Sequence, residues 1–335
     1  MKAGAGLGVV GVAGCLGSDD KVTVTIGGTS SGSSTQAAGQ ALSRAVNEHG
    51  DGSFNVSVQE TEGWTANLYE YDDDQLNAMG VDNNSIAKAM EDEDPFDEDP
   101  VDKLPHQGFM FTALQIHWVG LEGSGLESTA DLQDGGYTIY PIQPGFGTRL
   151  LTEEIIKNAG LWEDNEINNS DTGDIPGQVE EGNVDALCLY GSNGMELSGW
   201  CQEVDVRSND GLHLLEVDDN FRGAIEDHPG AILEEFEPYG YEQDVTKVTD
   251  TVVSWTLAAQ WAFSPEIPAK VTKELARISL EHHDTLRESD NATPEFDLDF
   301  MTSTVIEGLE VHEGVADFFE ENDAWDDAWE RGEAE

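Results

Sequence analysis

Apolar and polar residues alternate through "VTVTIGG", where Val22, Val24 and Ile26 fall on one side, and the pattern then passes through "TSSGSS" into helical spacing. The segment 53–61, "SFNVSVQET", alternates again with Phe54, Val56 and Val58 on one face. "GWTANLYEY" (63–71) predicts a helix, and "LNAMGVDNN" (76–84) predicts a strand that ends in a polar loop. The order β-α-β-α-β favours a parallel sheet with helices on its faces. Residues 106–125 form a long apolar stretch without helical period, which suits a strand passing between two domains. Residues 128–161 repeat the opening plan of strand, glycine-rich loop and helix, with Leu150, Leu151, Ile155, Ile156 and Ala159 along one helical face. Further strands are predicted at 184–191 and 212–217, and another at 250–263 that returns the chain to the first domain. Ser264-Pro265 reads as the start of a helix over 264–288, and 296–329 reads as an amphipathic helical tail. No repeat of solenoid period is present. The expected fold class is therefore α/β: residues 21–115 with 250–335 form one lobe, 116–249 the other, and 1–20 a leader.

Charge changes this picture of an ordinary α/β protein. Sixty-nine acidic residues stand against 15 basic ones, a formal charge of −54. Disorder is the usual reading of such acidity. Here 38% of residues are apolar and periodic, so the acid must coat a folded surface. That surface repels itself unless salt screens it, to roughly 3 Å at 1 M. Adaptation to a salt-rich medium is the expectation. Nucleic acid and anionic lipid surfaces are excluded as direct partners, since both need clustered Lys and Arg.

The leader "LGVVGVAGC" (7–15) is too short to span a bilayer. Val12-Ala13-Gly14-Cys15 resembles a lipoprotein signal box whose cysteine is lipidated, although only Lys2 precedes it. Cys188 lies in an apolar run and reads as a buried thiol; a disulfide to Cys201 is the alternative. The acidic run 91–102 contains two prolines and lacks a glycine at the sharp turn, so it reads as a solvated loop rather than a calcium site. No metal or cofactor is expected. Asn55, Asn83, Asn168 and Asn291 each begin an Asn-x-Ser/Thr triplet compatible with surface glycosylation, Asn83 less so because it lies near the expected cleft.

Two motifs overlap in the first glycine loop. "GGTSSGSS" (27–34) matches a phosphate-binding loop except that Ser33 stands where lysine is required, and serine supplies no charge to a triphosphate. "GTSSG" (28–32) is a literal G-x-S-x-G with Ser30 as nucleophile. No earlier strand exists to provide an oxyanion loop, and neither His213 nor His228 is marked as a base. What remains is a polar cradle of Thr29, Ser30, Ser31, Gly32 and Ser33 with main-chain N–H groups at a helix start. The second loop, Gly145-Phe146-Gly147-Thr148-Arg149, offers similar geometry and one cation, whose guanidinium suits a carboxylate. Trp64 and Phe146 are candidate apolar walls.

These pieces, in this order, resemble the TAXI family of solute receptors of TRAP transporters. The resemblance is carried by "IGGTSSGSS", "GWTANL" (63–68), "MGVDNNSIAKAM" (79–90), "DLQDGGYTIYPIQPGFGTR" (131–149), "GNVDALCLYGSNG" (182–194) and "VHEGVADFFEEN" (311–322). It implies a two-lobed periplasmic-binding-protein-like fold of type II. It also implies a monomeric extracytoplasmic receptor that closes on an amino acid or small carboxylate, glutamate-like, and delivers it to a TRAP permease. Asn67, Asp82, Asn83 and Tyr190 join the expected ligand residues through these matching segments. Ser34 and Thr35 stand where the family often has aromatics, and Phe146 where it usually has serine, so the pocket is reshaped and glutamate does not carry over directly. A hydrolase using Ser30 and a surface sensing lipoprotein are the rival readings.

Overall fold

A computed structural model describes residues 21–208 and 211–334; Cys15 and the leader lie outside the described residues. The first half-sheet comes from β1 (Val22–Gly27), α1 (Ser34–His49), β2 (Phe54–Gln59), α2 (Trp64–Asp72), β3 (Ala78–Asp82) and α3 (Asn83–Met90). β1 pairs in parallel with both β2 and β3. The 16-residue strand β4 (His106–Leu121) then carries the chain out. Beyond it come β5 (Thr138–Tyr140), α4 (Gly147–Asn158), β6 (Glu166–Ile167), α5 (Ile175–Glu180), β7 (Ala186–Ser192), β8 (Glu196–Leu197) and α6 (Gly199–Arg207). They are followed by β9 (Leu212–Leu214), α7 (Asp219–Glu226) and β10 (Ile232–Phe236). β11 (Val252–Phe263) brings the chain back, and α8 (Ala269–Glu281), α9 (His283–Arg287), α10 (Leu298–Thr302) and α11 (Glu313–Glu321) complete it.

All the strands join one mixed sheet of order β2-β1-β3-β11-β4-β7-β5-β6, with β10 on β11, β9 on β4 and β8 on β7. The two long strands are its spine. β11 pairs antiparallel with β3 through residues 259–263 and with β4 along most of its length, while the far end of β4 pairs with β7. The sheet thus has two halves, each with a parallel set and each entered by one crossing strand. We call the half built on β1, β2 and β3 lobe 1 and the half built on β5, β6 and β7 lobe 2. The β4–β11 register shifts at Ala259/Gln260 and again at Gln260/Ala262, where the spine passes from one lobe to the other. Such irregularities bend a ladder locally. This is the two-lobed type II α/β architecture.

The crossing strands are buried along nearly their whole length, the polar Gln107, Thr112, Ser254, Thr256 and Gln260 included. In lobe 2 Phe221 meets Trp118 and Trp255 edge to face while the two indoles are tilted to each other, and Phe111 stacks on Trp261 at 3.9 Å near the crossing. Each such side chain, fully buried, contributes roughly 1.5–3 kcal/mol. The acidic run 91–102 is irregular and anchored by buried Phe96.

Two sequence expectations are corrected. Ser264-Pro265 does not start a helix: Ser264 N–H bonds to Asn77 O, continuing the β3–β11 ladder, and α8 begins only after Pro268. A residue before proline avoids helical angles, so Ile267 holds the chain out of the helix. The tail is not one helix but two short ones separated by turns. Cys188 is the buried thiol that its apolar run predicts, and Cys201 is likewise a buried free thiol, so it is the alternative disulfide between them that is set aside. Burial pushes both well above the ordinary thiol range.

Candidate functional site

The loops after β1 and β5 leave the sheet at carboxyl ends, where ligands of open α/β sheets sit, and they meet. A cavity of about 250 Å³, counting its solvent-open mouth, is lined by Thr29, Ser33, Ser34, Thr35, Gly63, Trp64, Leu114, Phe146, Gly147, Thr148 and Tyr190. Its walls therefore come from both lobes. The space in it that a water-sized sphere can occupy is only about 20 Å³, close to what a single water needs, so the pocket is nearly shut in this form.

The first loop is held rigidly. Thr29 adopts φ of 62°; its N–H donates to Thr61 Oγ1 at 3.1 Å, and its hydroxyl pairs with that of Ser33 at 2.6 Å. Ser33 is the N-cap of α1, accepting from Gln36 N–H. That cap satisfies one of the donors a helix start leaves free, and the N–H groups of Ser34 and Thr35 remain among the rest. Trp64 Nε1 donates to Thr35 Oγ1 at 3.0 Å, which fixes the indole as a wall.

The second loop is different. Phe146 occupies the N-cap of α4, and no side chain caps that helix. Gly147 and Thr148 are nevertheless buried, and Thr148 Oγ1 has no hydrogen-bond partner among the described residues. A buried, uncapped helix start leaves main-chain donors and the positive end of a 12-residue dipole facing the cavity. Two helix N-termini, one per lobe, thus converge on one small space, an arrangement suited to an anion. Tyr190 completes the lobe 2 wall, with its ring against Trp200 at 5.6 Å, and burial pushes its phenol far up, so it stays neutral.

The lobes are in close contact around this cavity. Gly199 N–H donates to Gly32 O at 3.2 Å. Ser34 Oγ lies 2.7 Å from Ser198 Oγ and 2.6 Å from Ser192 Oγ. A Cβ on Gly63 would fall 2.3 Å from Gly145 O, and one on Gly147 would fall 2.0 Å from Asp82 Oδ2. Glycine is required at both positions by the approach of the opposite lobe. Farther out, Lys88 of α3 bonds Glu154 of α4 at 2.7 Å, and His228 bonds the same carboxylate at 2.8 Å. Burial alone would raise Glu154, but these two partners hold it below the usual range.

Several residues expected at the site have other employment. Arg149 is turned into lobe 2: its guanidinium bonds Glu153, Ile142 O and Asn169 at 2.8–2.9 Å and lies over Trp162. With these donors engaged it is no ligand clamp. Asn67 is a buried brace, donating to Gly27 O and Gly80 O and accepting from Thr61. Asp82 caps α3 through Oδ1, and Asn83 bonds Thr304 O and Gln260 while lining a separate, broader cleft with Lys88 and Glu154. Ser30, Ser31, Gly32 and Gly145 do not line the cavity: Ser31 is exposed, its N–H reaching Glu60, and Gly32 serves the contact with Gly199. Ser30 Oγ has no hydrogen-bond partner among the described residues. His213 bonds Leu126 O and His228 bonds Glu154, so neither activates it. Sequence reasoning missed Gly63 and Leu114 as lining residues. It noticed Ser34 and Thr35 only as departures from a pattern, although their place just after an N-cap serine was the available signal.

The chain belongs to the NMT1-like family, which it matches over residues 26–322. No curated protein sequence matches it. Among solved structures it is similar to the periplasmic aliphatic sulphonate binding protein SsuA from Escherichia coli, at 14% identity and TM-score 0.43 over 90% of this chain and 93% of that one. It is also similar to the ligand-binding component of an ABC-type import system from Staphylococcus aureus, at 8% identity and TM-score 0.46, covering 91% and 93%. The arginine-, lysine-, histidine-binding protein ArtJ from Geobacillus stearothermophilus gives 14% and 0.42, covering 83% and 98%. Among the described residues no helix is long and apolar enough to cross a membrane.

Proposed function

We propose that this protein is an extracytoplasmic solute receptor that captures a small anionic or zwitterionic metabolite by closure of its lobes. The observation that carries this reading is the buried, uncapped start of α4 facing the start of α1 across one cavity. Main-chain N–H groups and the unpartnered hydroxyl of Thr148 hold a carboxylate there without attacking it. Contacts from both lobes exist together only in the closed form, so ligand shifts the equilibrium toward closure. The contacts among Gly32, Gly63, Gly145 and Gly199 and the Lys88–Glu154 bond are then the closed-state interface, and the irregular β4–β11 crossing is where bending is absorbed. The sequence resemblance to TAXI receptors supports delivery to a TRAP permease, and Cys15 is the proposed lipid tether. The surface acid is an adaptation to high salt, where screening reduces repulsion of an anionic ligand beyond a few ångströms.

Two measurements test this. Small molecules released by denaturing protein purified in high salt are identified by mass spectrometry, and the same compounds are titrated back calorimetrically. A carboxylate or amino acid that rebinds supports the reading; preparations that release nothing and bind no small acid refute it. Ser30→Ala distinguishes the hydrolase alternative, which requires loss of all turnover of an ester or amide.

A further inference from the structure

Charge joins the two lobes away from the ligand cavity. Among the described residues a single ion pair runs from lobe 1 to lobe 2, Lys88 Nζ to Glu154 Oε1 at 2.7 Å, and the others stay within a lobe. Asn84 and Lys88 lie one turn apart on α3 and share a face. That face meets α4 and the turn after α7, where a Cβ on Gly230 would fall 2.4 Å from Asn84 Oδ1. His228 fixes the carboxylate. Its Nδ1 accepts from Gly230 N–H at 3.1 Å, so the proton sits on Nε2, which donates to Glu154 Oε2 at 2.8 Å. The pair is mostly enclosed, with 11% of the Lys88 side chain and 27% of that of Glu154 exposed, so molar salt screens it less than the exposed pairs. Lys88, Glu154 and His228 line the broader cleft and none of them lines the ligand cavity. Lys88 and Glu154 lie roughly 10 Å along their helices from the caps Asp82 and Phe146.

Each partner keeps a second one within its own lobe. Glu93, in lobe 1 with Lys88, lies 3.6 Å from the ammonium, and His228, in lobe 2, stays with Glu154. Parting the lobes therefore moves Lys88 from one carboxylate to another and strands neither charge, which is the costly way to break an enclosed pair. Such a contact can open and close repeatedly. Resting on the receptor reading, we propose that Lys88, Glu154 and His228 form a latch that holds the lobes closed without help from the solute, and that Lys88 passes to Glu93 when they open. The ligand cavity in this form has room for about one water, so a solute enters or leaves only after the latch is released. Closure is then set partly by a contact remote from the ligand.

Amide hydrogen exchange of the full chain in molar potassium chloride, with no solute added, tests this. Gly199 N–H donates to Gly32 O across the lobes at 3.2 Å, so its exchange follows the open fraction. The Trp255 amide, in β11 between β10 and β4, reports global unfolding. Lys88→Met and Glu154→Gln are each expected to speed Gly199 exchange about ten- to a hundredfold, the effect of losing one partner of a mostly enclosed charge pair. Trp255 exchange should change less. The double variant should be no faster than either single one, because both break the same bond. Glu93→Gln removes the resting place of Lys88 in the open form and is expected to slow Gly199 exchange about two- to fivefold, as for an exposed pair. If Lys88→Met fails to fold, Glu154→Gln, which keeps its shape and an acceptor for His228, carries the test. Unchanged Gly199 exchange in the single variants, additive effects in the double one, or equal acceleration of Gly199 and Trp255 overturns the latch and leaves the receptor standing. Faster exchange in Glu93→Gln overturns the transfer of Lys88. A chain that binds no solute yet shows the expected pattern loses the receptor reading and keeps the latch.

Discussion

Asp82 sits at the end of β3, fully buried, with Oδ1 capping α3 and Oδ2 turned toward Gly147 at the start of α4 in the opposite lobe. Loss of solvation raises its carboxyl from 3.8 to about 6, against the hydrogen bonds from Ser85 that favour the charged form. At 1.36 kcal/mol per unit this is about 3 kcal/mol. The positive end of α4 opposes it by about 0.5–2 kcal/mol, which leaves about 1–3 kcal/mol of destabilisation when the group is ionised. Because the folded value lies above the unfolded one, the native state holds a proton that the unfolded chain has released, and stability falls as pH rises between them. Below about 3.8 the group contributes nothing, and above about 6 the full loss is present. Asp82→Asn keeps the Oδ1 acceptor for Ser85 and removes the titration. Urea unfolding of both proteins in molar salt, from about pH 4 to about pH 7, is the assay. Relative to Asp82→Asn, the parent protein is expected to lose about 1–3 kcal/mol across that window. A difference that stays constant with pH would refute the reasoning.

Other outcomes follow from the same contacts. Gly147→Ala places a methyl into the opposite lobe, and overpacking of about 1–3 kcal/mol confined to the closed form weakens ligand binding about five- to a hundredfold. Small-angle scattering of this variant with ligand should show an open shape; unchanged affinity would mean the contact does not belong to closure. Arg149→Met breaks a buried ion pair and is expected to lower unfolding stability by about 3 kcal/mol, with ligand affinity retained in calorimetry. Selective loss of affinity at unchanged stability would restore Arg149 to the site. Diluting salt to tens of millimolar should unfold the protein through repulsion among its 69 acidic residues, read as loss of the helical circular-dichroism signal; a constant signal would contradict the account of the charge.

The strands β1, β2, β3, β4 and β11 were legible because each buries one or both faces, which writes a period of two or an unbroken apolar run into the residues. The two glycine loops were legible for a related reason: few residues besides Gly, Ser and Thr let a chain turn sharply from strand to helix with its donors exposed. The sequence by itself therefore determined an acidic, two-part α/β protein with a polar loop at the head of a helix in each part. It did not determine which side chains face the space between them. Arg149 shows why: its charge and its place in the first turn suited a ligand, but Glu153, Asn169 and Ile142 O, supplied by its own lobe, claim the guanidinium. Gly63 and Gly147 are needed because of atoms 82 and 65 positions away in the chain, Gly145 O and Asp82 Oδ2, whose proximity exists only once the lobes have met. Periodicity reports the burial of a residue within its own element. Contacts between lobes depend on how the two crossing strands bend, and only the tertiary structure decides that.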